Sequence, residues 1–305
     1  MTSSSLEYSA AGMVRQLKNA IFLLGIMPRS GTNFVHKLIT LHPDCGERTE
    51  IPEDRLLIPA DQLATYAARV AGGWKRSWNV PDAERELLLR SLGDGLIGFL
   101  AASVKERFVV TKTPSVHNIE LFPDLFPSAP LLVLVRDGRA VADSAARTFG
   151  WSPGHAMRRW AEAARAIIAF DASRSGTDTY LLVRYEDLVR DLDQSLPPVL
   201  EWCGLDPERY PFAKAREVPL LGSSVYRGGQ REVHWQPVDR PRDFAARIPW
   251  SRWSRSLHEE FTLVAGAEMR SLGYDGADLP MPRLGARVRR LAGDLAFRRT
   301  RPPRL

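Results

Sequence analysis

The sequence predicts an α/β protein, a single three-layer domain whose central sheet is mainly parallel. Short apolar runs bounded by turn residues alternate with segments of helical periodicity along most of the chain. The apolar runs are continuous and do not alternate with polar residues, which is typical of parallel strands buried on both faces. With 305 residues, 44% of them apolar, the chain is long enough for one large domain of this kind.

Four apolar runs are predicted to form the strands of this sheet, at residues 20–27, 108–111, 131–136 and 180–184. Helical patterns are predicted at residues 32–41, 83–103, 117–126, 139–148, 155–173, 186–203 and 256–272. The segments 45–78 and 215–248 are predicted to be loops around a site. Because ligands of parallel sheets bind beyond the carboxyl ends of the strands, we expect the functional residues at those ends.

An Arg-rich tail, residues 281–305, follows the predicted domain of residues 15–280. The tail holds eight of the 42 basic residues and one of the 36 acidic residues, so the other 280 residues carry 34 basic and 35 acidic side chains. The net charge of +6 therefore belongs to the tail, and the body gives no indication of a nucleic-acid partner.

The tail also contains apolar residues at helical spacing: Leu284, Val288, Leu291 and Leu295. This spacing predicts a short amphipathic helix. Such a segment either packs on its own domain, frays as a terminus, or docks on a membrane surface or a partner.

The two cysteines, Cys45 and Cys203, lie far apart in the sequence and belong to no metal-binding motif. We therefore expect a cytoplasmic protein without a metal. No segment approaches the roughly 18 apolar residues that a membrane-spanning helix needs, so the run 20–27 is predicted to be a buried strand.

A phosphate-binding loop, here called the phosphate loop, is predicted at residues 25–32, which read Gly-Ile-Met-Pro-Arg-Ser-Gly-Thr. It lies between the first strand and the first helix, where backbone N–H groups and the helix dipole attract an anion. In the pattern G-x-x-x-x-G-K-[ST], Ser30 stands at the second glycine and Gly31 at the lysine. Hydrolysis of ATP or GTP is therefore a poor first interpretation, and Arg29 is the donor that the loop offers.

A second anion site is predicted at the end of the run 131–136. Arg136 ends this run, and Ser144 follows eight residues later on the next predicted helix, so both side chains can face one space. The alternative is an Arg–Asp pair, with Asp137, that only pins the corner between strand and helix.

The ordered pair of motifs, residues 28–33 followed by residues 135–139 and Ser144, resembles the sulfotransferases that use 3′-phosphoadenosine 5′-phosphosulfate (PAPS). The similarity covers about residues 21–188 and is greatest to bacterial "PRSGT" members and to tyrosylprotein sulfotransferases. It implies the P-loop-like sulfotransferase fold, PAPS as donor, and the following nucleotide-binding residues: Arg29, Ser30, Gly31, Thr32, Asn33, Arg136, Ser144, Tyr185 and Arg227.

The resemblance implies transfer of a sulfuryl group to a hydroxyl, or secondarily an amine, of a small metabolite or carbohydrate. Lys112 follows the run 108–111 and is similar to a family lysine that contacts the transferring group. Arg29 and Lys112 would then supply positive charge without a metal. The alternatives are a nucleotide-dependent kinase or phosphotransferase, and a non-catalytic nucleotide-binding regulatory module.

The general base is ambiguous in the sequence. Tyrosylprotein sulfotransferases carry a catalytic Glu shortly after a His-Pro-Asp sequence, and in this chain Arg48 stands at its position. Glu47 and Glu53 are the favoured candidates, and Glu50 and His117 are the others.

Overall fold

A computed structural model describes residues 19–81, 83–174, 179–223, 237–240, 249–274 and 279–300. Its central sheet has five parallel strands in the order β2-β3-β1-β4-β5. The strands are β1 (Asn19–Gly25), β2 (Cys45–Gly46), β3 (Phe108–Thr113), β4 (Leu131–Val135) and β5 (Leu181–Arg184). The predicted α/β class with a mainly parallel sheet is confirmed, and the two-residue edge strand β2 was not predicted.

Helices lie between the strands and follow the last of them. They are α1 (Thr32–Thr40), α2 (Ala60–Gly72), α3 (Ala83–Ala101), α4 (Phe122–Leu125), α5 (Gly138–Phe149), α6 (Pro153–Ser173), α7 (Tyr185–Arg190), α8 (Leu192–Trp202), α9 (Phe212–Glu217), α10 (Arg255–Ser271) and α11 (Leu284–Thr300). The boundary between domain and tail at residue 280 stays a prediction.

Two predicted helices are shorter than expected. In the segment 117–126, Asn118 has a left-handed φ of 59°, and only a 3₁₀ turn and the four-residue α4 follow it. The segment 186–203 is divided at Asp191, which leaves the helical conformation and caps α8 by accepting a hydrogen bond from the Gln194 N–H. At the first break the Asn118 side chain donates to carbonyl oxygens of the segment that precedes α2, and at the second a capping aspartate starts a new helix.

The two predicted loop segments contain regular structure among their described residues, so the prediction is wrong for those parts. Segment 45–78 contains β2 and α2, and segment 215–248 contains β6 (Leu220–Ser223) and β7 (Pro237–Arg240), which pair antiparallel. The buried residues of α2 are Ala60 and Ala67 alone, so its sequence lacks the large apolar stripe that predicts a helix.

The sheet separates two apolar cores, because successive side chains of a strand point to opposite faces. Phe22 and Leu24 of β1 belong to the core that α3, α4, α6 and α10 cover, whereas Ile21 and Leu23 belong to the core that α1 and α8 cover. This arrangement is the predicted three-layer architecture, and it explains why the strands read as continuous apolar runs.

The carboxyl ends of four strands meet at one edge of the sheet. Leu24 is paired with Thr113, Gly25 with Leu134, and Val135 with Arg184. The residues that follow β1, β3, β4 and β5 therefore leave the sheet side by side. All the functional residues predicted at strand ends come from these four connections.

Candidate active site

The phosphate loop has the backbone of an anion-binding turn. Gly31 has a left-handed φ of 101° and is the N-cap of α1, with no side-chain cap hydrogen bond. The first N–H groups of an α-helix have no acceptor within the helix, and in α1 those of Thr32 and Asn33 are available to a ligand, whereas the Phe34 N–H donates to the Gly31 carbonyl oxygen. The Ser30 hydroxyl is buried and has no hydrogen-bond partner among the described residues, which makes it a further uncommitted group of the loop.

Two glycines allow the phosphate loop to close tightly. A Cβ atom at Gly31 would lie 2.4 Å from the Tyr185 ring, so the loop packs directly against that side chain. A Cβ atom at Gly25 would lie 2.5 Å from both Ser30 Oγ and Thr32 Cγ2. The loop therefore folds back over the end of β1 while it contacts the end of β5.

The phosphate loop is joined to the corner between β4 and α5. Arg29 Nε donates to Ser144 Oγ at 3.0 Å, and Arg136 Nη1 donates to the Arg29 carbonyl oxygen at 3.2 Å. The Arg136 guanidinium also lies over the Tyr185 ring, 4.3 Å from its centroid. The structure thus brings together Arg29, Arg136, Ser144 and Tyr185, with two guanidinium groups beside an uncapped helix N-terminus.

A different arginine makes the ion pair that pins the corner. Arg139 Nη2 lies 2.7 Å from Asp137 Oδ2, and the Asp137 side chain also accepts from the Arg139 N–H as the N-cap of α5. The Arg139 guanidinium lies over Trp250. The ion pair with Asp137 that pins the corner between strand and helix is therefore made by Arg139 and not by Arg136. Arg136 faces the phosphate loop.

Lys112, near the end of β3, is covered by the first part of segment 45–78. Its Nζ donates to the Pro52 carbonyl oxygen, and its own carbonyl accepts from the Asp54 N–H at 3.2 Å. Thr111 Oγ1 donates to Asp54 Oδ2 at 2.7 Å, and the Arg55 N–H donates to Thr113 Oγ1 at 2.9 Å. These bonds place the carboxylates of the segment next to the buried lysine.

Burial and the neighbouring carboxylates shift the pKa of Lys112 in opposite directions. Burial lowers the pKa of Lys112, whereas the negative charges of Glu53, Glu47 and Asp54 raise it. Burial raises the pKa of the half-buried Glu53 carboxyl, against the opposing effect of Lys112. A raised carboxyl pKa moves a general base toward neutral pH, where proton transfer is most effective.

His36 is a functional candidate that the sequence reasoning missed. It lies one turn after Thr32 on α1, with Nε2 3.2 Å from the Val110 carbonyl oxygen and Nδ1 3.5 Å from Glu47 Oε2. Burial, followed by the charge of Lys112, lowers the pKa of His36 to about 4. The ring is therefore neutral at physiological pH, with its proton on Nε2. The i, i+4 spacing from Thr32 was the available signal.

The other residues predicted for the site are less buried, point away from it, or are not described by the structure. Asn33 is half-buried in the first turn of α1. Glu50 and His117 are exposed, and Arg48 is turned away toward α3, where it donates to the Phe99 carbonyl oxygen. Arg227 lies outside the described residues.

No cluster of three or more His, Cys, Asp or Glu side chains in the described ranges has the arrangement of a metal site. Within the same ranges, no helix has the length and apolar character needed to cross a membrane.

Comparisons with known proteins agree with one another. A model of the sulfotransferase family matches residues 20–209. The nodulation protein NoeE of Sinorhizobium fredii is 27% identical over 245 residues, which cover 72% of this chain and 57% of that protein. Protein-tyrosine sulfotransferase 2 of Gallus gallus is 24% identical over 196 residues, which cover 61% of this chain and 51% of that protein. The chain thus spans little more than half the length of these two relatives.

The sulfotransferase domain from the curacin biosynthetic pathway aligns with a TM-score of 0.48 at 18% identity, over 86% of this chain and 99% of that one.

Proposed function

Because the chain belongs to the sulfotransferase family, we propose that it transfers the sulfuryl group of PAPS to an acceptor and releases 3′-phosphoadenosine 5′-phosphate. The proposed acceptor is a hydroxyl, or secondarily an amine, of a small metabolite or carbohydrate. The observation that carries the proposal is the bonded cluster of Arg29, Ser144, Arg136 and Tyr185 at the phosphate loop.

The chemistry of this cluster fits a nucleotide with anionic groups at both ends of its ribose. The phosphate loop offers the N-terminus of α1, Ser30 and Arg29 to the 5′-phosphosulfate. Arg136 and Ser144 offer a guanidinium and a hydroxyl to the 3′-phosphate. The Tyr185 ring lies between the two anion-binding groups, because it packs on Gly31 of the phosphate loop and lies under the Arg136 guanidinium.

The residues around Lys112 supply the transfer reaction with a cation and a general base. PAPS, when bound, supplies the sulfuryl group. Lys112 and Arg29 stabilise the negative charge that develops on the transferred group and on the departing phosphate. The Glu53 carboxylate accepts the proton that the acceptor hydroxyl loses, because it is half-buried beside Lys112 and burial raises its pKa, whereas the side chains of Glu47, Glu50 and His117 are exposed.

The alternative proposal of a kinase or other phosphotransferase keeps the same architecture but needs a different loop. A P-loop nucleoside triphosphatase places a lysine at the position of Gly31. Here a side chain at that position would strike the Tyr185 ring, and the backbone is left-handed. The loop geometry thus favours the sulfotransferase proposal.

Calorimetry on the intact chain separates these proposals. We expect 3′-phosphoadenosine 5′-phosphate to bind without magnesium, and the Arg29→Ala variant to remain folded but lose sulfuryl transfer. The matched control is Arg147→Ala, which removes an exposed arginine from α5 and should retain activity. Magnesium-dependent binding of ATP in place of this nucleotide would support the phosphotransferase. Nucleotide binding without transfer to any acceptor in a broad screen would support the regulatory module.

A further inference from the structure

Helix α11 docks on the protein through small and polar groups and one aromatic ring, since Phe297 packs against His155 of α6 with ring centroids 5.1 Å apart. Ala286 is buried, and a Cβ atom at Gly293 would lie 2.3 Å from the Arg158 guanidinium. Arg158 is a buried residue of α6, and it donates to Asp294 Oδ1 at 2.8 Å and to the Arg290 carbonyl oxygen at 3.0 Å. A buried guanidinium therefore anchors α11.

The aliphatic residues of α11 face solvent. The exposed fractions are 77% for Leu284, 61% for Val288, 65% for Leu291 and 61% for Leu295. These four residues, here called the aliphatic stripe, recur at the spacing of one helix face. An amphipathic surface helix ordinarily packs its apolar face on the core. Helix α11 instead exposes its aliphatic face to solvent.

Positive charge surrounds the aliphatic stripe. Arg287 and Arg289 are exposed on either side of Val288 in the sequence. Asp294, the one acidic residue among the 25 of segment 281–305, is bonded to Arg158 and lies 3.5 Å from Arg290 Nε. The outward face of α11 is thus apolar in the middle and cationic around it.

We propose that α11 docks the protein on an anionic phospholipid surface, with the aliphatic stripe inserted at the level of the headgroups and the arginines bound to lipid phosphates. An exposed helix with an apolar stripe and cationic flanks has the chemistry of an interfacial helix. The stripe contains only aliphatic side chains, and the aromatic residue of α11, Phe297, packs on His155, whereas protein interfaces draw much of their binding energy from Trp and Tyr. These features favour lipid over a protein partner.

Vesicle co-sedimentation of the full chain tests this docking. We expect binding to vesicles of phosphatidylcholine mixed with phosphatidylglycerol, weaker binding to phosphatidylcholine alone, and release by salt. The double variant Leu291→Gln/Leu295→Gln should lower the partition coefficient about tenfold or more. The variant Arg287→Gln/Arg289→Gln should have a smaller preference for anionic vesicles. Leu87→Gln on α3, where the leucine is 51% exposed, is the matched control and should bind like the unaltered chain.

Three results would overturn the proposal, provided that circular dichroism shows folded variants. One is an unaltered chain that stays in the supernatant with anionic vesicles. Another is vesicle binding that the leucine substitutions leave unchanged, since the arginines would then act without the stripe. The third is a dimer in ultracentrifugation that the leucine variant converts to a monomer, because a second copy would then cover the stripe.

Discussion

The two halves of the candidate active site are built by different means. The nucleotide half consists of the phosphate loop with Arg136 and Ser144, and it depends on short connections at the ends of neighbouring strands. The acceptor half consists of Lys112 and the carboxylates of residues 47–54, and it depends on a segment that folds back over β3. The sheet itself positions the first half, whereas a connection outside the sheet positions the second.

The halves also differ in their charges. The nucleotide half has guanidinium groups, which stay protonated in proteins, and a helix N-terminus, so its charge is constant across the working pH range. In the acceptor half, the pKa of Lys112 is lowered by burial and the pKa of Glu53 is raised by burial. We therefore expect the protein's own contribution to the pH dependence of catalysis to come from the acceptor half.

Among the substitutions that distinguish the two halves, the largest effect is expected for Glu53→Gln. Loss of a general base should lower kcat about 10³-fold, because proton transfer to a positioned group contributes rate factors of this order. With Glu53 present, kcat should rise with pH through the pKa of that carboxyl, which lies above its ordinary range. Steady-state kinetics from pH 5 to 8 measure both effects. The fall of kcat toward low pH, here called the acidic limb, should be absent in Glu53→Gln.

Glu47→Gln is the matched control for that experiment. Glu47 is exposed and lies beside His36, so its replacement should leave the acidic limb in place. A loss of the limb in Glu47→Gln, with a normal profile in Glu53→Gln, would assign the base to Glu47 instead.

A smaller loss of activity is expected for Lys112→Ala. Removal of one preorganised cation should lower kcat about 10²-fold, and 3′-phosphoadenosine 5′-phosphate should bind with nearly unchanged affinity. Lys37→Ala, an exposed lysine of α1, serves as the control. The division into halves would fail if Lys112→Ala weakened nucleotide binding as much as it lowered kcat.

A still smaller effect is expected for Arg136→Ala. Loss of a charge-assisted hydrogen bond should weaken the binding of 3′-phosphoadenosine 5′-phosphate about 30-fold. Adenosine 5′-phosphate lacks the 3′-phosphate, so its calorimetric affinity should be the same in the variant and in the parent. Equal losses for both nucleotides would mean that Arg136 supports the phosphate loop as a whole.

The sequence predicted the nucleotide half better than the acceptor half for a physical reason. Gly31 and Arg136 lie within a few residues of buried strands, so their positions follow from the parallel sheet. Asp54 and His36 reach Lys112 only because segment 45–78 folds onto β3 and because α1 covers that strand. Such contacts join residues that are far apart in the sequence, and no local pattern indicates them.

His36 links the two halves, since it lies on the helix that follows the phosphate loop and its ring is close to Lys112. Its native pKa of about 4 lies below the ordinary value of 6.5, so the unfolded chain takes up the proton first as the pH falls. The free energy of unfolding should therefore be highest above pH 6.5 and should decline as the pH falls toward 4. At pH 5.5 the loss should be about 1.4 kcal/mol. Urea unfolding of His36→Gln, which keeps a donor for the Val110 carbonyl oxygen, should lack this loss, whereas the exposed control His117→Gln should retain it. An unchanged pH dependence in His36→Gln would show that the buried ring does not link the halves through its proton.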